Sequence, residues 1–200
     1  MDALIPIFIF CLVTSITPGP NNIMLLASGL NHGVKKTLPH LFGIIVGFPT
    51  MVACIGLGLG AIFLQYPLIH QVIKVAGIAY LLFLAWKIAN ASNPNADTST
   101  QKPFTFFQAA LFQWLNPKAW IMAIGAIATF TTPENLGTNL LIILAGFLTM
   151  GSMSMSAWVF LGAGLQRILR SQQQLQIFNI TMAVLLALSV ISMVLPDSAT

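Results

Sequence analysis

Charge is almost missing from this chain: of 200 residues, eight are Lys or Arg and four are Asp or Glu, against 57% hydrophobic residues. So little polar surface excludes a soluble globule. Cysteine is also scarce. Cys11 and Cys54 lie in different apolar stretches, with no C-x-x-C and no His/Cys metal spacing, so a small core residue is the expected role of each and no metal site is expected. A membrane thiol relay through the two cysteines is the sharper alternative. The catalytic signatures G-x-S-x-G and H-E-x-x-H, paired acids and a phosphate loop are absent, so neither an enzyme nor a cofactor is expected. The net charge of +4 is spread over short loops, unlike the clustered basic face of a nucleic-acid binder.

Long apolar runs take the place of these features. Windows of about 20 residues give six spans, at 3–30, 38–64, 72–89, 104–131, 140–165 and 175–195. An all-α integral membrane protein is expected, with six transmembrane helices and no soluble domain. The first span follows Asp2 rather than a basic segment and is longer than a signal core, so it reads as a retained helix. Lys35 and Lys36, then Lys87 and Lys102, then Arg167 and Arg170 mark loops 1–2, 3–4 and 5–6. The positive-inside rule makes those loops cytoplasmic. Both termini then face outward, where Asp2, Glu134 and Asp197 collect.

Shifting the chain against itself by 99 residues aligns Phe8 with Phe107, Leu12 with Leu111, Pro18 with Pro117 and Ala27 with Ala126. Gly47-Phe48-x-Thr50-Met51 matches Gly146-Phe147-x-Thr149-Met150 at the same shift. Two halves follow, residues 1–92 and 103–200, joined by a polar cytoplasmic linker at 93–102. Each half has three spans, so the second enters the membrane upside down, the inverted-repeat plan of many secondary transporters.

Helices 1 and 4 are each broken by proline, at Thr17-Pro18-Gly19-Pro20-Asn21-Asn22 and at Asn116-Pro117-Lys118. At ~1.5 Å rise per residue both breaks sit near mid-membrane. Proline frees carbonyls in hydrocarbon, a cost tolerated mainly where the backbone lines a cavity. The first break is expected to free the carbonyls of Thr14 and Ile16, with Asn21 and Asn22 capping a half-helix through 23–30. A half-helix N-terminus suits a carboxylate and freed carbonyls suit an ammonium, so the site fits a zwitterionic amino acid. Lys118 is the one charge well inside a span, a functional residue by default. Its expected partners are backbone carbonyls, Gln113, Asn116 or a substrate carboxylate.

His40, at the start of helix 2, reads as an interfacial anchor or as a proton-coupling group beside Lys118. His70 reads as an anchor. Trp86, Trp114, Trp120 and Trp158, with Tyr66 and Tyr80, read partly as belt residues, and Trp114 and Trp120 as walls of the cavity. Gly43/Gly47, Gly56/Gly60 and Gly58/Gly162/Gly164 are expected to permit close helix crossings.

The segments TPGPNN at 17–22, LPHLFGIIVGF at 38–48, IKVAGIAYLLFLAWKIA at 73–89, FQWLNPKAW at 112–120 and SAWVFLGAGL at 156–165 carry a resemblance. Over essentially its full length the chain resembles the LysE/RhtB family of amino-acid exporters. That resemblance implies export of amino acids or close derivatives across the bacterial inner membrane, driven by the proton gradient. It implies site residues Pro18, Gly19, Pro20, Asn21, Asn116, Pro117 and Lys118. The doubled asparagine is shared with members resembling cysteine and O-acetylserine exporters. Many relatives carry G-x-R-x-G in loop 1–2, where this chain reads Gly33-Val34-Lys35-Lys36-Thr37.

The combined expectation is a proton-coupled exporter of a small neutral amino acid, threonine/homoserine-like or cysteine/O-acetylserine-like, working by alternating access. Residues 17–22 and 116–118 bind substrate, and the bilayer is the other partner. Export of another small metabolite is the alternative. The apolar outer faces suit a homodimer and a lipid-facing monomer equally.

Overall fold

A computed structural model describes residues 4–59, 67–91, 102–169 and 171–190. The linker at 93–101, Asp2, Tyr66, Gly60, Arg170, Asp197 and the side chain of His70 lie outside the described residues. Every regular element within them is helical. The order is α1 (Leu4–Ile16), α2 (Pro20–Cys54), α3 (Pro67–Ala89), α4 (Phe106–Phe112), α5 (Pro117–Phe130), α6 (Leu136–Gly146), α7 (Ser152–Leu165) and α8 (Gln172–Leu188). A π-helical segment, Ile55–Leu59, extends α2, and another, Phe147–Gly151, joins α6 to α7. A 3₁₀ turn, Gln113–Leu115, follows α4.

Pro20–Leu59, Gln71–Ala89 and Leu136–Leu165 are each long and apolar enough to cross a bilayer, while Leu4–Ile16 and Pro117–Phe130 are shorter apolar helices. The difference from six sequence spans has a local cause. Proline breaks cut the spans at 3–30 and 104–131 into pieces, and the last span runs past the described residues. Ile5, Phe107, Ile121 and Leu141 are each at least 68% exposed, a surface that suits hydrocarbon.

Loop 1–2, expected between residues 30 and 38, contracts to one corner inside α2. Gly33 turns it with φ 75°, ψ 170°, an essentially glycine-only region that costs other residues about 1–3 kcal/mol. Thr37 Oγ1 closes the corner, donating to Gly33 O at 2.9 Å and pairing with Ser28 Oγ at 2.9 Å. Helices α4 and α8 begin with capping boxes, Thr105 with Gln108 and Ser171 with Gln174, which satisfy first-turn donors.

Small residues bring the helices together. A Cβ on Gly29 would lie 2.5 Å from Val159 O, and one on Gly162 2.1 Å from Leu26 O, so α2 and α7 cross backbone to backbone. Gly162 therefore partners Gly29, and the expected grouping with Gly58 and Gly164 is not found: among the described residues nothing lies within 4 Å of a Cβ placed on either. Gly43 abuts Phe106 O and Gly47 abuts Ala110, joining α2 to α4, while Gly146 abuts Cys11, joining α6 to α1. Helix α3 packs on α8.

Two apolar clusters result. One holds Leu25, Leu81, Leu84, Phe112, Val159 and Leu186. The other holds Ile7, Cys11, Met51, Ala123, Ile143 and Phe147.

Candidate functional site: two helix breaks at a seam

At the first break, Thr17 N still donates to Val13 O at 3.2 Å, and Pro18 then ends α1. Pro20 takes the first position of α2, where its fixed φ suits the helix and no donor is needed. Gly19 is the cap, extended at φ −171°, ψ −179°, with no side-chain cap bond. This corrects the expectation that Asn21 and Asn22 cap the half-helix. Proline starts the helix ahead of them, so both stand within its first turn and their amides reach elsewhere. Asn22 Nδ2 donates to Ser15 O at 2.9 Å and Thr17 Oγ1 to Thr14 O at 2.9 Å. Carbonyls freed by the prolines are thus partly re-paired by nearby side chains, as hydrocarbon requires.

The second break is shorter. Asn116, at φ −89°, ψ 111°, caps α5: its Oδ1 accepts from Lys118 N at 3.2 Å, and Pro117 occupies the first position. Trp120 Nε1 reaches back to Trp114 O at 2.9 Å. In both breaks, a side chain just after the break holds a carbonyl just before it. Trp114 and Trp120 pack on each other, ring centroids 6.0 Å apart, and neither lines the pocket between the breaks.

Lys118 joins the two breaks. Its Nζ donates to the Thr17 carbonyl, to Thr17 Oγ1 at 2.9 Å and to the Pro18 carbonyl at 3.4 Å. The side chain lies against Gly19, where a Cβ would come 2.6 Å from Lys118 Cδ. Backbone carbonyls, among the partners expected for this ammonium, are therefore the ones found. Gln113 is not among them. It is fully buried and forms a reciprocal amide pair with Asn21, Asn21 Nδ2 to Gln113 Oε1 at 2.8 Å and Gln113 Nε2 to Asn21 Oδ1 at 3.3 Å. Sequence reasoning missed that pair; its only trace was the position of Gln113 beside the second break.

A pocket opens between the breaks. Thr14, Ser15, Asn21, Asn22, Asn116 and Lys118 form its polar side. Its apolar side draws Ile44 and Met155 from the first cluster and Phe48, Met122 and Phe147 from the second. The pocket therefore lies where the two apolar clusters meet. Among the described residues of its lining Lys118 is the charged one, and no acid joins it. Phe147 and Gly151, the ends of a π-helical segment, both reach it; such segments recur at functional sites. Of the expected substrate-binding residues, Asn21, Asn22, Asn116 and Lys118 line the pocket, whereas Thr17, Pro18, Gly19, Pro20 and Pro117 are not in its lining.

His40 stands apart from this site. It is 1% exposed rather than interfacial, because the Gly33 corner directs the start of the next helical segment inward, and it lines a different pocket. Cys11 is fully buried in the second cluster, with Sγ 3.9 Å from Ile143 O, and Cys54 is half-buried; both are free thiols.

Apolar helices long enough to cross a bilayer, with a polar pocket between two helix breaks, are the architecture of a membrane carrier. Residues 12–195 match the model of the LysE type translocators, and the chain belongs to that family. It is 32% identical over 180 residues to the cysteine/O-acetylserine efflux protein of Escherichia coli (strain K12), covering 88% of this chain and 90% of that one. The protein of the same name from Shigella sonnei (strain Ss046) matches to the same extent. No solved structure gives a significant match.

Proposed function

We propose that this protein exports a small neutral amino acid or close derivative, of the cysteine or O-acetylserine type, from the bacterial cytoplasm. The observation that carries the reading is Lys118 docked on the carbonyls of Thr17 and Pro18. The ammonium neutralises a substrate carboxylate, and exchange of carbonyls for carboxylate unties the two breaks. Asn21, Asn22 and Asn116, with the first-turn backbone, orient the substrate. Met122, Met155 and Phe147 offer polarisable surface to a short sulfur-bearing or acetylated side chain. The absence of acids from the lining argues against dibasic substrates.

Alternating access in this proposal is rocking of one half of the chain against the other about the central pocket. Six spans in an inverted 3+3 repeat, with halves 1–92 and 103–200, provide the frame. Two observations support it: Gly47 packs on Ala110 as Gly146 packs on Cys11, and both breaks carry a strap. The cationic loop ends face the cytoplasm. Lys87, Lys102 and His32 surround one pocket, and Gln166 Oε1 lies 3.8 Å from the Cβ position of Gly33, consistent with loops 1–2, 3–4 and 5–6 sharing a side. Export is driven by the proton gradient, with Lys118 as the coupling group.

The test is uptake of radiolabelled cysteine and O-acetylserine into inverted vesicles under an imposed proton gradient. Gradient-dependent uptake that Lys118→Ala abolishes, while that variant still inserts, is the expected result. Equal uptake by the variant removes the role of Lys118. No uptake of either compound, with export of another metabolite, removes the substrate assignment.

A further inference from the structure

A second pocket opens where the Gly33 corner, the end of α3 and the segment before α4 meet. His32, His40, Lys87 and Lys102 line it, and among the described residues no carboxylate does. The chain has eight Lys and Arg and three His in all, so four of its basic side chains converge on one cavity. His40 lies deepest. Its ring packs on Phe104, centroids 5.1 Å apart, and neither ring nitrogen has a hydrogen-bond partner among the described residues. Lys87 Nζ sits 5.6 Å from the centroid of the same Phe104 ring, so one aromatic side chain positions both groups. A buried polar group without a partner is costly, and its retention in a pocket calls for a ligand. With cations at the rim and an imidazole at depth, that ligand is a small anion.

This pocket and the central one share a helix. The α2 segment before Gly33 puts Asn21 and Asn22 on the central pocket and Ser28, Asn31 and His32 on this one, with Met24 near the join. We propose that the second pocket is a loading site that takes the carboxylate of the substrate on the cytoplasmic side, before transfer along α2 to Lys118. Lys87 and Lys102 raise the local concentration of anions, and His40 donates to the bound carboxylate. The inference rests on the export reading given above. An anionic lipid headgroup shares this oxyanion chemistry, and the test separates the two sources.

The test measures cysteine uptake under reducing conditions across a concentration range, in inverted proteoliposomes carrying the full chain. Lys102→Gln, at the exposed rim, and His40→Phe, at depth, are each expected to raise KM about tenfold with kcat little changed, the signature of lost binding without lost chemistry. Purified Lys118→Ala is expected to bind cysteine still, and Lys118→Ala/His40→Phe not to. Lys102→Gln covers the outcome in which His40→Phe fails to fold. Unchanged KM in a folded variant, with transport intact, overturns the loading site and leaves the export reading standing. Cysteine binding that depends on His40 without any transport overturns the export reading instead. KM effects that appear with phosphatidylglycerol and vanish with phosphatidylcholine assign the pocket to lipid and overturn the substrate role.

Discussion

Phe48 and Phe147, 99 residues apart in the sequence, meet edge to face with ring centroids 4.8 Å apart. They are the same position in the two proposed halves. Their neighbours behave alike: Gly47 lies on Ala110 and Gly146 on Cys11, and Ala110 and Cys11 are again 99 apart. Contacts that map onto one another under a single shift are what a two-fold relation between halves produces. Both phenylalanines line the central pocket, so equivalent positions of the two proposed halves meet at the pocket the transport proposal uses.

Gly19 gives the most selective probe of the lysine latch. Its φ of −171° suits any residue, but a Cβ there would come 2.6 Å from Lys118 Cδ. Gly19→Ala should therefore keep its melting temperature in detergent while uptake into inverted vesicles falls about tenfold or more, the usual penalty for a misplaced binding group. A melting shift as large as the transport loss would assign Gly19 to packing alone.

The α2/α7 crossing should depend on Gly162. A methyl group there meets the Leu26 carbonyl at 2.1 Å, backbone that cannot swing aside, so Gly162→Ala should destabilise by about 1–3 kcal/mol. Gly164→Ala, with nothing within 4 Å, should leave stability unchanged. Thermal unfolding of the two variants side by side reads the contrast.

The Asn21–Gln113 pair should be coupled. Removing Gln113 leaves the Asn21 amide without these bonds, and removing Asn21 leaves Gln113 Oε1 without its donor while Gln113 Nε2 keeps Ala109 O at 2.8 Å, so a double-mutant cycle of Asn21→Ala and Gln113→Ala should give about 0.6–1.7 kcal/mol, the range for interhelical hydrogen bonds in membranes. Strict additivity would mean that the pair adds nothing to the junction of the breaks.

Export should survive loss of both thiols. Cys11 is fully buried in an apolar cluster, a packing role that alanine can fill at modest cost. A Cys11→Ala/Cys54→Ser variant should transport at the wild-type rate, whereas an inactive, folded variant would revive the thiol relay.

That cysteine-free background also reads orientation. Lys35 and Glu134 are both exposed. With Lys35→Cys, an impermeant maleimide should label only after the cells are opened, and with Glu134→Cys it should label intact cells. The reverse pattern would invert the proposed topology and move the second pocket to the outer face.

Much of the site was legible because proline and lysine carry their meaning locally. Pro18, Pro20 and Pro117 remove donors wherever they stand, and Lys118 in an apolar run needs a partner whatever the fold. The capping roles were misassigned because Pro20, at the first helical position, shifts the cap to Gly19, and sequence alone did not fix that register. His40 was read as an anchor because its burial depends on the Gly33 corner, a backbone conformation that no hydropathy window contains.

Composition and periodicity thus determined the solvent, the helical class and the two points where helices break, since each follows from backbone hydrogen bonding in hydrocarbon. Tertiary packing alone decided which acceptors hold Lys118, that Asn21 meets Gln113, and that one helix serves two pockets. Those pairings join residues about a hundred positions apart, and only the approach of small-residue helix faces brings them within hydrogen-bonding distance.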